Sequence, residues 1–64
     1  MNLYQFETQK VKLVDCDDIV YYGRVLMVQS PEDNDVHEIL LDVETKDGIF
    51  GLLEHEIKSI ALID

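Results

Sequence analysis

The chain has no tryptophan, one proline, one cysteine and only five basic residues. With Cys16 alone, no internal disulfide can form, and a cysteine zinc site is excluded as well. No apolar run approaches the ~20 residues needed to cross a bilayer as a helix. The opening MNLYQFETQK shows no basic segment followed by an apolar stretch, so a signal peptide is not expected. A reduced, cytoplasmic setting is the resulting expectation. The scarcity of cations is the most informative absence. Lys10, Lys12, Arg24, Lys46 and Lys58 stand against fourteen Asp and Glu, for a formal charge of −9. Nucleic-acid affinity depends on Lys and Arg neutralising phosphates, and a strong negative field repels a polyanion. The acidity has two readings: a charge that keeps a small protein dispersed, or a surface for a basic partner.

What is present is alternation. No long stripe at the 3.6-residue helical period occurs, and 64 residues make one domain with a marginal core, on the order of 3–5 kcal/mol. Within the 1–64 domain, residues 1–8 form a lead-in. There, Asn2 caps a single helical turn bringing Leu3 and Phe6 to one side, or else the segment is extended. In QKVKLVD (9–15), Val11 and Leu13 share one face and the lysines the other, which describes a strand with one wet side. CDD (16–18) is a turn. IVYYGRVLMVQ (19–29) is the most β-prone run, and it is too long for a flat strand in so small a domain. Gly23 inside it marks the bend that lets one strand serve two sides of a barrel.

SPEDND (30–35) is a surface loop, followed by a third strand over 37–45 with Ile39, Leu41 and Val43 on one face. Lys46-Asp47-Gly48 is a hairpin turn. Strands at 49–53 and 57–63 flank the corner Glu54-His55-Glu56. The predicted fold is mainly β: a small, five-stranded, strongly bent antiparallel barrel over 9–64.

From Lys10 onward, the order and spacing of these segments resemble the Sm-like (LSm) family of small barrels, among the OB, SH3-like and Sm-like types. VKLVDCDD is similar to that family's first strand and acidic turn, YYGRVLMV to its second strand with Gly23 at the bend. HEILLD is similar to its Met-Asn-Leu-x-Leu-Asp segment, and FGLLEHEIKSI to its closing strand–corner–strand. In RNA-binding members, an Asn of the third strand and the Arg-Gly of the corner build a pocket for a single-stranded base. Motif alignment puts that Asn at Glu38, the apolar residue before it at His37, and Arg-Gly at Leu53 and Glu54. Leucine cannot stack on a base or pair with phosphate as arginine does. At an effective dielectric of ~20, each added carboxylate would repel a phosphate ~6 Å away by roughly 2–3 kcal/mol before screening. The resemblance therefore implies the fold without RNA binding at that pocket.

Candidate chemistry is sparse. His37 and His55 with Glu38, Glu54 and Glu56 form a conceivable divalent-metal set, the alternative being plain surface residues. Glu32, Asp33 and Asp35 lack the glycine and terminal glutamate of a calcium loop. Neither a metal nor another cofactor is assigned. Cys16, flanked by Asp15, Asp17 and Asp18, reads as a packed or half-buried structural cysteine whose acidic neighbours blunt its reactivity. Ser30 and Ser59 have no base partner. An enzyme is not expected. Tyr21 and Tyr22 face opposite sides of their strand. With Tyr4 and Phe6 they could line a groove for a protein or, as the alternative, a stacking platform for bases.

The last two strands are apolar on both faces and must be covered or paired at their edges. In the Sm-like family, the fourth strand of one subunit pairs with the fifth of the next. The resemblance implies such an edge here, built from Ile49, Phe50, Leu52, Ile60 and Leu62. The alternative is a tightly closed monomer. The function expected is a non-enzymatic module that forms homo-oligomers or binds a protein with a basic surface. Its rivals are nucleic-acid binding through another face and acidic mimicry of nucleic acid. No membrane association is expected.

Overall fold

Val11, Leu13 and Asp15 point inward from the first strand, β1 (Lys10–Asp15), and its two lysines point outward, as the alternation predicts. The computed structural model describes residues 2–63; Met1 and Asp64, both within the predicted domain, lie outside the described residues. Four further strands follow: β2 (Val20–Gln29), β3 (Leu40–Thr45), β4 (Gly48–Leu53) and β5 (Ile57–Leu62). All five are antiparallel in one bent sheet of order β4-β3-β2-β1-β5. The barrel is not closed. β4 and β5 end the sheet on opposite sides and do not pair with each other.

β2 belongs to two ladders. Val20–Arg24 pair with β1, whereas Gly23–Gln29 pair with β3. At Gly23 a Cβ would collide with the backbone carbonyl of Glu44, so only glycine permits this approach of β2 to β3. A bulge between Val25 and Met27 adds a second bend that composition does not reveal. The lead-in is stitched to this bend. Thr8 donates to the Val25 carbonyl at 2.8 Å, Val25 to that of Gln9 at 3.0 Å, and the Val28 N–H to the Glu7 carboxylate at 2.9 Å. Leu3–Phe6 is a 3₁₀ turn that buries Leu3 and Phe6 under the bent sheet, so the lead-in is helical rather than extended, but the Asn2 side chain makes no capping hydrogen bond.

Leu13, Val25, Leu41 and Val43, one or two from each central strand, meet Leu3 at the centre, with Leu52 and Ile57 beside them. Complete burial of each such side chain stabilises the fold by about 1.5–3 kcal/mol. β3 begins at Leu40, three residues later than the alternation predicts, because His37 takes a left-handed φ of 57° that a strand cannot contain. Asn34 organises the preceding loop, donating to the carbonyls of Ser30 and Glu38 and accepting from Val36 N–H. The β3–β4 turn is the expected one, with Gly48 at φ 129° and the Thr45 hydroxyl bridging Asp47 N–H and the Gly48 carbonyl.

Candidate functional site

Glu54–Glu56 is a single 3₁₀ turn that joins β4 to β5. Its backbone is held from three sides. The Glu56 carboxylate accepts the Leu53 N–H at 2.9 Å, the Ile39 carbonyl accepts the Glu54 N–H at 2.9 Å, and Cys16 donates its N–H to Glu56 and its thiol to the His55 carbonyl. Glu38 closes the set. Its carboxylate takes the His55 N–H at 2.8 Å and faces the ring Nδ1 at 2.7 Å. The bond from the His55 backbone, then that from its ring, hold the Glu38 carboxyl below the usual glutamate range.

Of the four residues that the sequence resemblance singled out, His37, Glu38, Leu53 and Glu54, the last three gather at this corner. Glu38 is engaged by His55, while Leu53 and Glu54 are half-buried in backbone bonding. His37 is exposed and joins none of these bonds. No group of three or more His, Cys, Asp or Glu among the described residues is arranged to hold a metal ion. Cys16 is exposed, neither packed nor half-buried as expected: its position on the acidic turn turns the thiol to the surface of the corner. Among the cations, Lys58 is paired with Asp18 at 2.6 Å, and the Arg24 guanidinium donates to the Thr8 carbonyl at 2.6 Å.

A second acidic anchor lies behind the β1–β2 turn. Asp15 is buried, and its carboxylate accepts the N–H groups of Asp17 and Ile19 and the phenol of Tyr21 at 2.9–3.0 Å. Burial raises its pKa, but the bonds from Ile19, Asp17 and Tyr21 together outweigh that and leave it below the usual aspartate range. The same contact raises the Tyr21 phenol. Tyr21 thus faces inward, its ring 5.4 Å from that of Phe50, while Tyr22 faces solvent. Phe6 is buried in the core, so it does not line a groove with Tyr4 and the tyrosine pair. Phe50, not Tyr4 or Phe6, lies beside the tyrosine pair, and sequence reasoning missed this because the Tyr21 and Phe50 rings lie on strands far apart in the chain.

The remaining feature is the pair of open edges. On β4, Phe50 and Leu52 oppose the buried Val43 and Leu41 and so share the core face. Leu52 is buried there, leaving only its backbone to the edge, whereas Phe50 at the rim stays 38% exposed. Ile49 projects from the opposite face, 62% exposed. On β5, Ile60 and Leu62 oppose the buried Leu13 and Val11; Ile60 is half-buried, but Leu62 remains 59% exposed although it stands on the core face. β4, with sequence GIFGLL, carries none of the charges or prolines that commonly blunt an exposed edge. No helix among the described residues is long and apolar enough to cross a membrane.

No family model, curated protein or solved structure matches the chain.

Proposed function

We propose that the chain is a non-enzymatic assembly module whose copies join head to tail, β4 of one against β5 of the next. One observation carries this reading. Both terminal strands have an unpaired side, and apolar residues of the core face, Phe50 on β4 and Leu62 on β5, are left uncovered there. Pairing the two edges would extend the sheet across the contact and bring those side chains under a common cover. The resemblance to the Sm-like family, in which the fourth and fifth strands meet between subunits, supports the same reading. A head-to-tail contact closes into a ring only if its rotation permits. Leu53 and Glu54 at the corner argue against RNA binding of the family type. A reducing cytoplasmic setting suits an exposed lone cysteine. Light scattering across a concentration series is the test: a mass several times that of one chain is expected, and a strict monomer at high concentration overturns the reading.

The charge of −9 favours a second reading, an acidic surface that occupies a basic site on another protein. Capture of a DNA- or RNA-binding protein that nucleic acid competes away would support it. Capture of acidic partners only would not.

A further inference from the structure

The two ladders of β2 overlap only at Gly23 and Arg24. On the turn side of that overlap the sheet forks. Val20–Tyr22 continue along β1, while β3 has already reached its last paired residue, Thr45, opposite Gly23. The side of Val20–Tyr22 that faces away from β1 therefore has no strand partner among the described residues. A groove of about 570 Å³ occupies the fork. Ile19, Val20 and Tyr22 form one wall, Thr45, Lys46 and Asp47 the other, and the packed rings of Tyr21 and Phe50 the floor. Its volume falls within the usual range of binding clefts, and its walls are unsatisfied: Ile19 is 51% and Tyr22 59% exposed. The Tyr21 hydroxyl donates to the Asp15 carboxylate at 3.0 Å, which ties the ring at the floor.

We propose that this fork docks an extended, basic peptide segment of another protein, which adds a strand to Val20–Tyr22 and seats an apolar side chain over Tyr21 and Phe50. Strand addition follows from the unpartnered backbone of β2, since an extended peptide satisfies main-chain groups and places alternate side chains in the cleft. The sign of the partner follows from charge complementarity. The chain carries −9; on the far wall Asp47 offsets Lys46, the sole cation among the lining residues, and Asp17 lies close enough to the Tyr21 phenol at the floor to act on it. A nucleic acid would find aromatic rings but a single cation beside them. The groove runs along the free side of Val20–Tyr22 and shares only Phe50 with the β4 edge, so this inference goes beyond head-to-tail assembly and does not depend on it.

The probe is a fluorescein-labelled peptide of alternating valine and threonine with two lysines at each end, followed by anisotropy and by amide shifts of the labelled full chain. Binding is expected to move the amides of Ile19–Tyr22 and Thr45–Asp47. A glutamate-flanked peptide of the same core should bind about tenfold more weakly or worse. N-methylation of the central valine, which removes one main-chain donor, should also weaken binding. The double variant Ile19→Ser, Tyr22→Ser alters only exposed side chains and should lose about tenfold in affinity while its amide spectrum elsewhere is unchanged. Equal binding of the two flanked peptides overturns the proposal, as does the absence of binding. So do peptide-induced shifts confined to β4 or β5. Oligo-uridine, oligo-adenosine or increasing protein concentration moving the same groove amides would assign the site to nucleic acid or to a second copy, and would overturn it as well.

Discussion

The Glu38 carboxylate receives the backbone N–H of His55 at 2.8 Å and meets its ring Nδ1 at 2.7 Å, across seventeen residues of sequence. A loop residue before β3 thereby fixes the turn between β4 and β5, and with it the relative placement of the two open edges. Glu38 is thus engaged in the architecture of the corner.

That bond sets a pH dependence. The Glu38 carboxyl is held below its ordinary range in the folded chain by the His55 backbone and then by its ring. Its stabilisation is therefore complete above the ordinary glutamate range and lost as pH falls through the depressed folded value. The melting temperatures of the native chain and Glu38→Ala should differ at neutral pH and converge in acid. Curves that remain parallel down to low pH would show that the carboxylate is not the group involved.

Asp15 and Tyr21 make a matched pair. In a Tyr4→Phe, Tyr22→Phe background Tyr21 is the one phenol left, and its ultraviolet titration should lie above the ordinary tyrosine range because the Asp15 carboxylate accepts its hydroxyl. Stabilisation from a raised phenol is present below the ordinary tyrosine range and lost as pH rises through the folded value. Asp15→Asn should bring the titration back toward the ordinary value. An unmoved titration would mean that the contact does not persist in solution.

Gly23 tests the approach of β2 to β3. Gly23→Ala drives a methyl group into the Glu44 carbonyl and should cost ~3 kcal/mol, the upper end for overpacking. Leu41→Ala, at the centre of the core, should cost about 2–5 kcal/mol. In a domain whose whole stability is only a few kcal/mol, either change should leave a substantial unfolded population by urea titration at ambient temperature. A Gly23→Ala chain as stable as the parent would rule out the close approach.

For the edges, Ile49→Lys and Leu62→Lys place a cation on side chains that are already exposed, so thermal stability at low protein concentration should change by less than about 0.5 kcal/mol. Mass by light scattering should fall to that of one chain. Unchanged assembly in both variants would remove β4 and β5 from the contact.

Salt supplies an independent check. Copies each bearing −9 repel one another, and salt screens that repulsion while leaving apolar contact and strand pairing intact. Association should strengthen between low and moderate ionic strength. A complex held by phosphate contacts would weaken instead, so the sign of the slope separates self-assembly from polyanion binding.

Much of the strand plan was legible because alternation is a local signal: Lys10–Asp15 and the Asp-Gly hairpin stand where residue types place them. Gly23 was legible as a bend because a glycine inside a β-branched run has few other uses, although its cause, the carbonyl of Glu44, lies on another strand. The late start of β3 was not legible. Apolar character at Ile39 continues the strand pattern, but the left-handed backbone of His37 and the amide bonds of Asn34 are decided by loop geometry. The exposure of Cys16 and the burial of Leu52 depend on which side of a turn or edge faces the core, which composition cannot report. The Tyr21–Phe50 floor of the fork joins residues 29 positions apart, so no window of sequence displays it.

A border strand without a single ionised group cannot choose its neighbour by sign. Along Gly48–Leu53, selection has to come from contour: the notch at Gly51, the ring of Phe50, and the stagger that lines up one main chain with another. In the proposed assembly, fidelity would then be set by the rest of the exterior, whose shared negative sign makes most wrong orientations mutually repulsive and leaves the uncharged β4 border as the place of least resistance.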